Sequence, residues 1–488
     1  MVRRWLLMFL GVACLMSTQG VRAQTGSSVP SVPREFRGVW IASVSNIDWP
    51  SRKGMTVQEQ QADLRSLLDM VKQMRANAVI LQMRPAGDAL YPSAVAPWSE
   101  YLTGTPGKAP SPAWDPLAFA VKEAHERGIE IHAWMNPFRG AAHTDRSRLA
   151  PGHIGARNPQ ILHTYGKSLW LEPSSPIVQK HVLDQVVEIV TKYDIDGIHF
   201  DDYFYPYPET GKPFPDDTAY QAYKAGGGTL GRDDWRRDLV NTFIRNVAST
   251  IKRHNPRVKF GISPFGIWQP GHPPGIKGLN AYASLYADAR LWTNEGIVDY
   301  IAPQLYWGID DTDQSFPKLL AWWVGENKRG RHVWPGLAVY KIPKDYDANE
   351  IVREIDVTRA QPGASGHILF RAANIKGNVG GIKDALAKQS YTVPALVPPS
   401  PWLDNEAPAA PVISFDPATG LVSWRSNGQE PAFVWTIAAE VSPGKWWMDT
   451  LPAGQTSLKL KAGAKPAVIA VSAVDRLGNE SQKAIIRP

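Results

Sequence analysis

Short runs of apolar and β-branched residues recur along most of the chain, and each run ends in polar or aromatic residues. Eight such runs lie at residues 36–43, 78–84, 130–137, 197–202, 258–264, 298–307, 332–341 and 366–374. Amphipathic helical patterns lie between and after them, at residues 57–75, 177–192, 235–253, 281–293, 316–327, 347–360 and 379–388. Strands too apolar to face water predict a parallel sheet covered by helices. We therefore predict an α/β fold, a (β/α)8 TIM barrel, with an open doubly wound sheet as the competing architecture.

The connections between these elements are strongly asymmetric. Links from helix to strand are short, whereas links from strand to helix are long, at residues 85–114, 138–175, 203–232 and 265–280. This asymmetry, and the lack of a Gly-rich phosphate turn after the first strand, go against the doubly wound sheet. Long connections in a compact domain are usually functional, and in a barrel the strand-to-helix loops form the active face. We therefore expect the site at the carboxyl ends of the strands.

The pattern changes beyond the last helix. We assign residues 34–390 to the barrel and the proline-rich residues 391–406 to a semi-rigid linker. Six short alternating runs follow, at residues 412–415, 421–424, 433–438, 446–450, 457–460 and 467–474. Turn residues separate them, which predicts a small all-β sandwich over residues 407–488.

The amino terminus has the features of a secretory signal peptide. Arg3 and Arg4 precede an apolar run that is too short to span a bilayer, and small residues end the segment at Ala23. We predict a signal peptide over residues 1–23, a leader over residues 24–33, and an exported protein, periplasmic or extracellular. Cys14, the only cysteine, allows a lipoprotein, but Gly stands where a lipoprotein signal has Leu, so we favour simple cleavage.

Charge and aromatic content narrow the class of partner. The formal net charge is +7, and the three arginines of the predicted signal peptide leave 7 − 3 = +4 for the mature chain. This mild basicity suits an anionic envelope polymer, whereas the absence of a Lys/Arg run argues against nucleic acid. The 19 tryptophans, several of them in predicted loops, favour a sugar-stacking surface.

Polar and aromatic side chains stand at the tips of all eight predicted strands. In chain order they are Trp40 with Asp48 beyond it, Gln82 and Arg84, Asn136, Asp201 and Asp202, Ser263, Gln304, Tyr306 and Trp307, Tyr340, and Arg371 with Asn374. Groups that converge from different strands describe a catalytic pocket better than the end of a packed core.

Asp201 and Asp202 are the strongest catalytic candidates. Glycosidic cleavage requires carboxyl groups, and the rings that follow, including Tyr203 and Tyr205, are of the kind that pack on sugar faces. Adjacent strand residues point to opposite faces, so we expect the general acid to come from a loop. Asp310 is our choice, with Asp311, Glu209 and Asp48 as alternatives. The structural alternative is that Arg84 or Arg371 pairs with the two carboxylates.

The remaining tip residues are predicted to bind substrate. Arg84 could bind a substrate carboxylate or hydroxyl, or it could hold Asp201 ionised; Asn136 could bind a sugar hydroxyl. The full predicted set is Trp40, Asp48, Gln82, Arg84, Asn136, Tyr203, Tyr205, Gln304, Tyr306, Trp307 and Arg371. We predict no metal and no cofactor, because the histidines are scattered and form no HExxH pair.

Three segments resemble a known family. Residues 34–42, 46–50 and 197–206 are similar to motifs of the glycosyl-hydrolase-like 10 family, and the likeness extends over residues 35–388. It implies a (β/α)8 barrel in an exported bacterial protein, a glycoside hydrolase acting on envelope or extracellular glycan, with Asp201 and Asp202 in the site. Residues 471–481 look like the last hairpin of a fibronectin type III module.

Our leading hypothesis is an exported glycoside hydrolase that uses carboxylate acid/base chemistry. Peptidoglycan glycan is the first substrate expected, and another polysaccharide the second. The alternative is a non-catalytic glycan-binding or envelope scaffold protein. We expect neither a nucleic-acid partner nor a transmembrane span, and we leave the oligomeric state open.

Overall fold

A parallel sheet closed on itself forms the larger domain. The computed structural model describes residues 29–461 and 465–488, so the predicted signal peptide, Cys14 and residues 24–28 of the predicted leader lie outside the described residues. The strands are β1 (Phe36–Ile41), β2 (Ala78–Arg84), β3 (Glu130–Met135), β4 (Gly197–Phe200), β5 (Lys259–Ile262), β6 (Tyr300–Ile301), β7 (His332–Val333 and Gly336–Leu337) and β8 (Gly366–Leu369).

Strand pairing shows how the sheet closes. Each strand pairs in parallel with the next, and β1 pairs with β8. The first segment of β7 pairs with β6 and its second segment pairs with β8. Both free ends of the sheet are therefore parts of one strand, which confirms the predicted barrel.

Eight helices follow the strands. They are α1 (Val57–Gln73), α2 (Pro116–His125), α3 (Pro176–Lys192), α4 (Arg232–His254), α5 (Ala289–Asn294), α6 (Phe316–Glu326), α7 (Ala348–Ala360) and α8 (Ile382–Ala385). The hydrophobic pattern did not single out α2, and the predicted helix over residues 281–293 is two short helices. Among these described residues no helix is both long and apolar enough to cross a membrane.

The loops and turns carry shorter elements. Short helices lie at Glu100–Thr103, Ile154–Arg157, Asp217–Ala225, Ala281–Ser284, Ala372–Lys376 and, as a π-helix, Leu386–Ser390. Turns of 3-10 helix lie at Val44–Asn46, Arg146–Arg148, Pro159–Ile161, Val339–Lys341 and Val379–Gly381. The long loop after β3 folds into its own antiparallel sheet, made of Arg139–Ala141, Leu162–Tyr165 and Ser168–Leu171.

Rings fill the interior of the barrel, and glycines on neighbouring strands make room for them. A Cβ atom on Gly261 would lie 2.0 Å from the ring of Tyr300, and one on Gly197 would lie 2.6 Å from Nδ1 of His132. Both rings are fully buried. Alanine at either glycine would therefore displace a ring from the barrel axis.

A directed series of hydrogen bonds runs through these rings. Nε1 of Trp40 donates to Nε2 of His199 (3.3 Å), so the proton of His199 is on Nδ1 and is donated to the Tyr300 hydroxyl (2.9 Å). Tyr300 then donates to Nδ1 of His132 (2.8 Å), whose Nε2 donates to Glu130 (3.3 Å). Burial holds the pKa of His199 well below its usual value, so the ring is neutral, as these bonds require. His199 is thus a hydrogen-bonded residue of the barrel core.

The smaller domain is all-β. Its strands are β9 (Val412–Asp416), β10 (Leu421–Arg425), β11 (Val434–Ser442), β12 (Lys445–Pro452), β13 (Ser457–Lys459), β14 (Val468–Val474) and β15 (Ala484–Ile486). They form two antiparallel sheets, in the orders β9-β10-β13 and β12-β11-β14-β15. Trp424, Trp435, Ile437, Ile469 and Val471 belong to the core that both sheets share.

This domain packs against the end of the barrel where the strands begin. Arg476 forms an ion pair with Asp196 at 2.7 Å, immediately before β4, and His125 contacts the same carboxylate at 2.9 Å. Burial alone would raise the pKa of Asp196, but Arg476 and His125 hold it well below its usual range. The proline-rich segment also lies on this end, where Trp402 donates to Asp299 (2.8 Å). The small domain therefore lies opposite the carboxyl ends of the strands.

We expect Arg476→Ala to reduce the free energy of unfolding by about 3 kcal/mol, because it leaves the buried Asp196 carboxylate without its cation. Urea unfolding at neutral pH measures the change. Arg257→Ala is the matched control, since its pair with Glu430 (3.7 Å) links the two domains but is largely exposed, and we expect a loss below about 1 kcal/mol. Equal losses for both variants would contradict the importance of the Asp196 pair.

Candidate active site

A cavity of about 350 Å³ opens at the carboxyl ends of the barrel strands. Its volume falls within the range of ligand clefts, roughly 300 to 1,000 Å³. The lining residues are Trp40, Ala42, Val44, Ile47, Gln82, Trp134, Arg139, Asp201, Asp202, Tyr203, Tyr207, Ser263, Phe265, Gln304, Tyr306, Trp307, Tyr340 and Phe370. Strands β1, β2 and β3 contribute Trp40, Gln82 and Trp134, and the segments that follow the other five strands each contribute at least one lining residue. Nine of the lining residues are aromatic, and two are carboxylic acids.

Asp201 and Asp202 both line the cavity although they are adjacent in sequence. Regular strand geometry ends at Phe200, and the chain bends at Asp202. The strict alternation of side chains, which would place them on opposite faces, therefore does not extend to this pair. Two carboxyl groups of one strand tip share a single cavity.

Asp201 is buried, and only one of its oxygens is hydrogen-bonded. Oδ2 accepts from Nε1 of Trp134 (3.0 Å) and from Nδ2 of Asn136 (3.1 Å), while Oδ1 meets no donor in the described part of the chain. Burial raises the pKa of Asp201 to about 7, and the neighbouring Asp202 adds to the rise. At neutral pH a large fraction of Asp201 therefore carries a proton.

Asp202 is bonded at both oxygens. Nε2 of Gln304 donates to Oδ1 (3.0 Å), and the Tyr207 hydroxyl donates to Oδ2. Burial also raises the pKa of Asp202, but these two donors favour the charged form and oppose the rise. The two carboxyl groups thus differ: hydrogen bonds to both oxygens favour the charged form of Asp202, whereas Asp201 more readily holds a proton.

Arg139 is the cation that faces the two carboxyl groups. Its guanidinium lies 4.4 Å from the ring centroid of Tyr203 and donates to the carbonyl of Pro85 (3.3 Å). Its charge lowers the pKa of Asp201 and of Asp202, against the effect of burial. The ring and the carbonyl hold this charge in place without neutralising it.

Two groups of touching rings form the walls of the cavity. The first wall is Trp40, Tyr306, Tyr340 and Phe370, with ring centroids 5.6 to 6.1 Å apart. The second wall is Tyr203, Tyr207, Phe265 and Trp307, with centroids 5.5 to 6.2 Å apart. Apolar ring faces beside polar groups suit a sugar, which has both C–H faces and hydroxyl groups.

Gly266 lies where the chain after β5 packs closely against the residues that follow β6. A Cβ atom there would lie 2.3 Å from the carbonyl oxygen of Gln304 and 2.7 Å from the Trp307 ring. The backbone after β5 can therefore approach the tip of β6 only with glycine at this position.

The structure brings together eight of the residues predicted from sequence. Trp40, Gln82, Asp201, Asp202, Tyr203, Gln304, Tyr306 and Trp307 all line the cavity. Gln82 also fixes the loop after β1, because its Oε1 accepts from the backbone N–H of Ser43 (3.0 Å) and of Val44 (2.9 Å).

The position of Asp310 corrects its assignment as the general acid. Its side chain is 82% exposed, pairs with Arg353 at 3.0 Å, and does not line the cavity. Asp311, an alternative, accepts hydrogen bonds from nearby backbone N–H groups in the same exposed loop. Neither carboxylate lines the cavity, so the structure does not bring this loop to Asp201 and Asp202.

Five predicted substrate-binding residues lie behind the cavity wall. Asp48 accepts from the backbone N–H groups of Ala42 and Ala373, both at 2.8 Å, and joins the loops after β1 and β8. Arg84 is fully buried and donates to Gln185 and to the carbonyl of Asn136, whose own amide holds Asp201. These three residues support the site and are not among the residues that line the cavity.

Tyr205 and Arg371 are the other two corrections. Tyr205 is 1% exposed and its hydroxyl donates to Asp216 (3.3 Å), so its ring is packed away from the cavity. Arg371 donates to the carbonyl of Ile47 (3.2 Å), where it ties β8 to the loop after β1. No cluster of metal-ligating side chains occurs within residues 29–461 and 465–488.

Several lining residues were not selected from the sequence. Trp134 was detectable, because it shares a strand face with Asn136, and Ser263 and Tyr340 stood at recognised strand tips. Other missed lining residues are Arg139, Tyr207, Phe265 and Phe370. Arg139 carried no signal, since it lies in a long loop whose path depends on the sheet formed within that loop.

We expect Asp201→Asn to stabilise the protein at high pH. Because the folded-state pKa of about 7 exceeds that of the unfolded chain, stability is lost as pH rises from about 4 to 7. Asparagine keeps an oxygen that accepts from Trp134 and Asn136 but cannot ionise. Urea unfolding should show a gain of about 2 kcal/mol at pH 8 and little change near pH 4. Equal effects at both pH values would show that the Asp201 pKa is not raised.

The chain is similar to a described family and to named relatives. The sequence matches the family described as Glycosyl hydrolase-like 10 over residues 35–351. It is 45% identical over 410 residues to glycosyl hydrolase YngK of Bacillus subtilis, covering 80% of each chain. It is 34% identical over 386 residues to glycosyl hydrolase DigH of Escherichia coli K12, covering 72% of this chain and 87% of that relative.

A solved structure shares the fold. The catalytic domain of β-amylase from Paenibacillus polymyxa superposes with a TM-score of 0.51 at 12% identity, covering 74% of this chain and 99% of that domain. Identity this low shows a common barrel and nothing about substrate. On its sequence match and its relatives, this chain belongs to the glycosyl hydrolase-like 10 family.

Proposed function

We propose that this protein is a glycoside hydrolase in which Asp201 is the proton donor and Asp202 is the carboxylate at the anomeric carbon. The observation that carries the proposal is the unequal environment of two carboxyl groups in one cavity. Environments that separate the pKa values of two carboxyl groups are how glycosidases assign the acid and the base.

The proposed reaction uses each group in turn. Asp201 gives its proton to the glycosidic oxygen as the bond from that oxygen to the anomeric carbon breaks. Asp202 stabilises the positive charge that develops on the sugar, or bonds to its anomeric carbon. Water then supplies a hydroxyl group to that carbon, and where Asp202 has bonded to the carbon, that bond breaks in the same step. The remaining proton of the water is transferred to Asp201. Gln304 and Tyr207 keep Asp202 charged and oriented throughout.

We also propose which glycan is the substrate. Peptidoglycan glycan is our first candidate, supported by the mild positive charge, the predicted signal peptide and the added all-β domain. Another extracellular polysaccharide is the second. The proposal places the protein outside the cytoplasm, in the periplasm or the extracellular space.

Asp202→Asn and Asp201→Asn are each expected to lower glycan cleavage by about 10²- to 10⁴-fold, because each removes one of the two reacting carboxyl groups. The measurement is the release of reducing ends from sacculi and from neutral polysaccharides. Asp310→Asn is the control and should keep wild-type activity, since that side chain faces solvent. Full activity in Asp202→Asn would contradict the assignment. Binding by the wild type without release on any glycan would favour a glycan-binding protein.

The rate should also depend on pH with a defined sign. Because the pKa of Asp201 is about 7, the proton donor is lost as pH rises through that value, and kcat/KM should fall about tenfold per pH unit above it. Steady-state rates from about pH 5 to 9 measure this limb. An unchanged rate across that range would rule out Asp201 as the donor.

A further inference from the structure

Among the Phe, Tyr and Trp side chains of the part of the chain that the structure describes, only two are more than about a third exposed. Tyr340 is 40% exposed and Trp447 is 37% exposed. Trp447 lies on the edge strand β12 of the small domain. Tyr340 lies at the rim of the cavity that contains Asp201 and Asp202. Tyr340 is therefore the one exposed Phe, Tyr or Trp ring in the described part of the barrel, and it lies at the entrance to the site.

The ring of Tyr340 is held in place although it is exposed. Its backbone N–H donates to the carbonyl of Phe370 (3.0 Å), which fixes the turn after β7 against β8. The ring stands nearly perpendicular to Tyr306 (79°, 5.7 Å) and to Phe370 (78°, 5.6 Å). Those two rings are nearly parallel to each other, at 18°. Two perpendicular contacts restrain Tyr340 and leave part of its surface open to solvent.

An ordered ring with a free surface is what a sugar-binding subsite needs. Exposing a large apolar ring forgoes hydrophobic stabilisation, and a fixed ring loses little conformational entropy when a ligand covers it. Stacking on the C–H face of a sugar would recover that surface, and the phenol hydroxyl offers a polar group beside it. Because the first wall is continuous from Trp40 to Tyr340, a chain bound beside Trp40 would meet this ring on leaving the cavity.

We propose that Tyr340 is an outer sugar-binding platform, over which a glycan chain extends from the cavity. The inference rests on the proposed glycosidase function and adds the direction of the chain and the class of substrate, an oligosaccharide longer than the cavity. It requires that a long chain bind more tightly than a short one, and that Tyr340 account for the difference.

Binding without turnover tests the platform. The background is Asp202→Asn, and titration calorimetry uses solubilised sacculus glycan together with disaccharides and hexasaccharides of neutral glycans. Tyr340→Ala in this background should weaken binding of long chains roughly 3- to 10-fold and leave disaccharide binding unchanged. Tyr340→Phe, which keeps the ring, should retain most of the affinity. Trp447→Ala, a ring of similar exposure on the small domain, should have no effect.

Each other outcome is decisive. If Tyr340→Ala binds long chains as tightly as its parent, the platform is overturned while the glycosidase proposal stands. A loss on Trp447→Ala alone would also overturn it, because the outer contact would then lie on the small domain. If the parent binds none of these glycans and the wild type cleaves none, the proposed function fails, and the platform fails with it.

Discussion

The constraint that dominates the cavity is the burial of two adjacent carboxyl groups, Asp201 and Asp202, in one place. Removing a carboxylate from water is costly, and placing a second one beside it adds repulsion. The structure opposes this cost with hydrogen bonds to both oxygens of Asp202, with the fixed charge of Arg139 and with two donors on one oxygen of Asp201. The compensation is incomplete at Asp201, and the shortfall appears as a pKa near 7. The charged form of Asp201 is thus disfavoured, and a carboxyl group of this kind is suited to proton transfer near neutral pH.

One strand shows the contrast between stability and chemistry. Asp196 precedes β4, and Asp201 follows it. Both are buried, but Arg476 and His125 hold Asp196 in its charged form, whereas Asp201 has no ion-pair partner within residues 29–461 and 465–488. Asp196, at the beginning of β4, therefore helps to dock the small domain. Asp201, at the end of β4, remains able to exchange a proton. This division between the two ends is general for barrels, whose catalytic groups lie at the carboxyl ends of the strands.

The sequence was sufficient for features that depend on local pattern. The eight strands, the barrel and the placement of Asp201 and Asp202 at a tip follow from apolar runs and from where each run stops. It failed where a role depends on the partner of a side chain. Asp48 and Arg84 lie at strand tips, but both are already hydrogen-bonded within the protein. Asp48 accepts from two backbone N–H groups, and Arg84 donates to the carbonyl of Asn136. Tyr205 continues the aromatic run, but the chain turns its ring towards Asp216. No pattern in one sequence reports such long-range contacts.

The predicted loop acid illustrates the same limit. Alternation along a strand predicts that Asp201 and Asp202 point apart, which favours a loop acid such as Asp310, but the chain bends at Asp202 and both carboxyl groups line one cavity. Because both carboxyl groups share the cavity, the proposed reaction requires no acid from a loop, and Asp310 pairs with Arg353 in solvent. The small domain is likewise remote, because it docks on the amino ends of the strands through Arg476 and Trp402. Contacts with the distal part of a glycan must then come from the barrel loops, where Tyr340 presents the exposed ring.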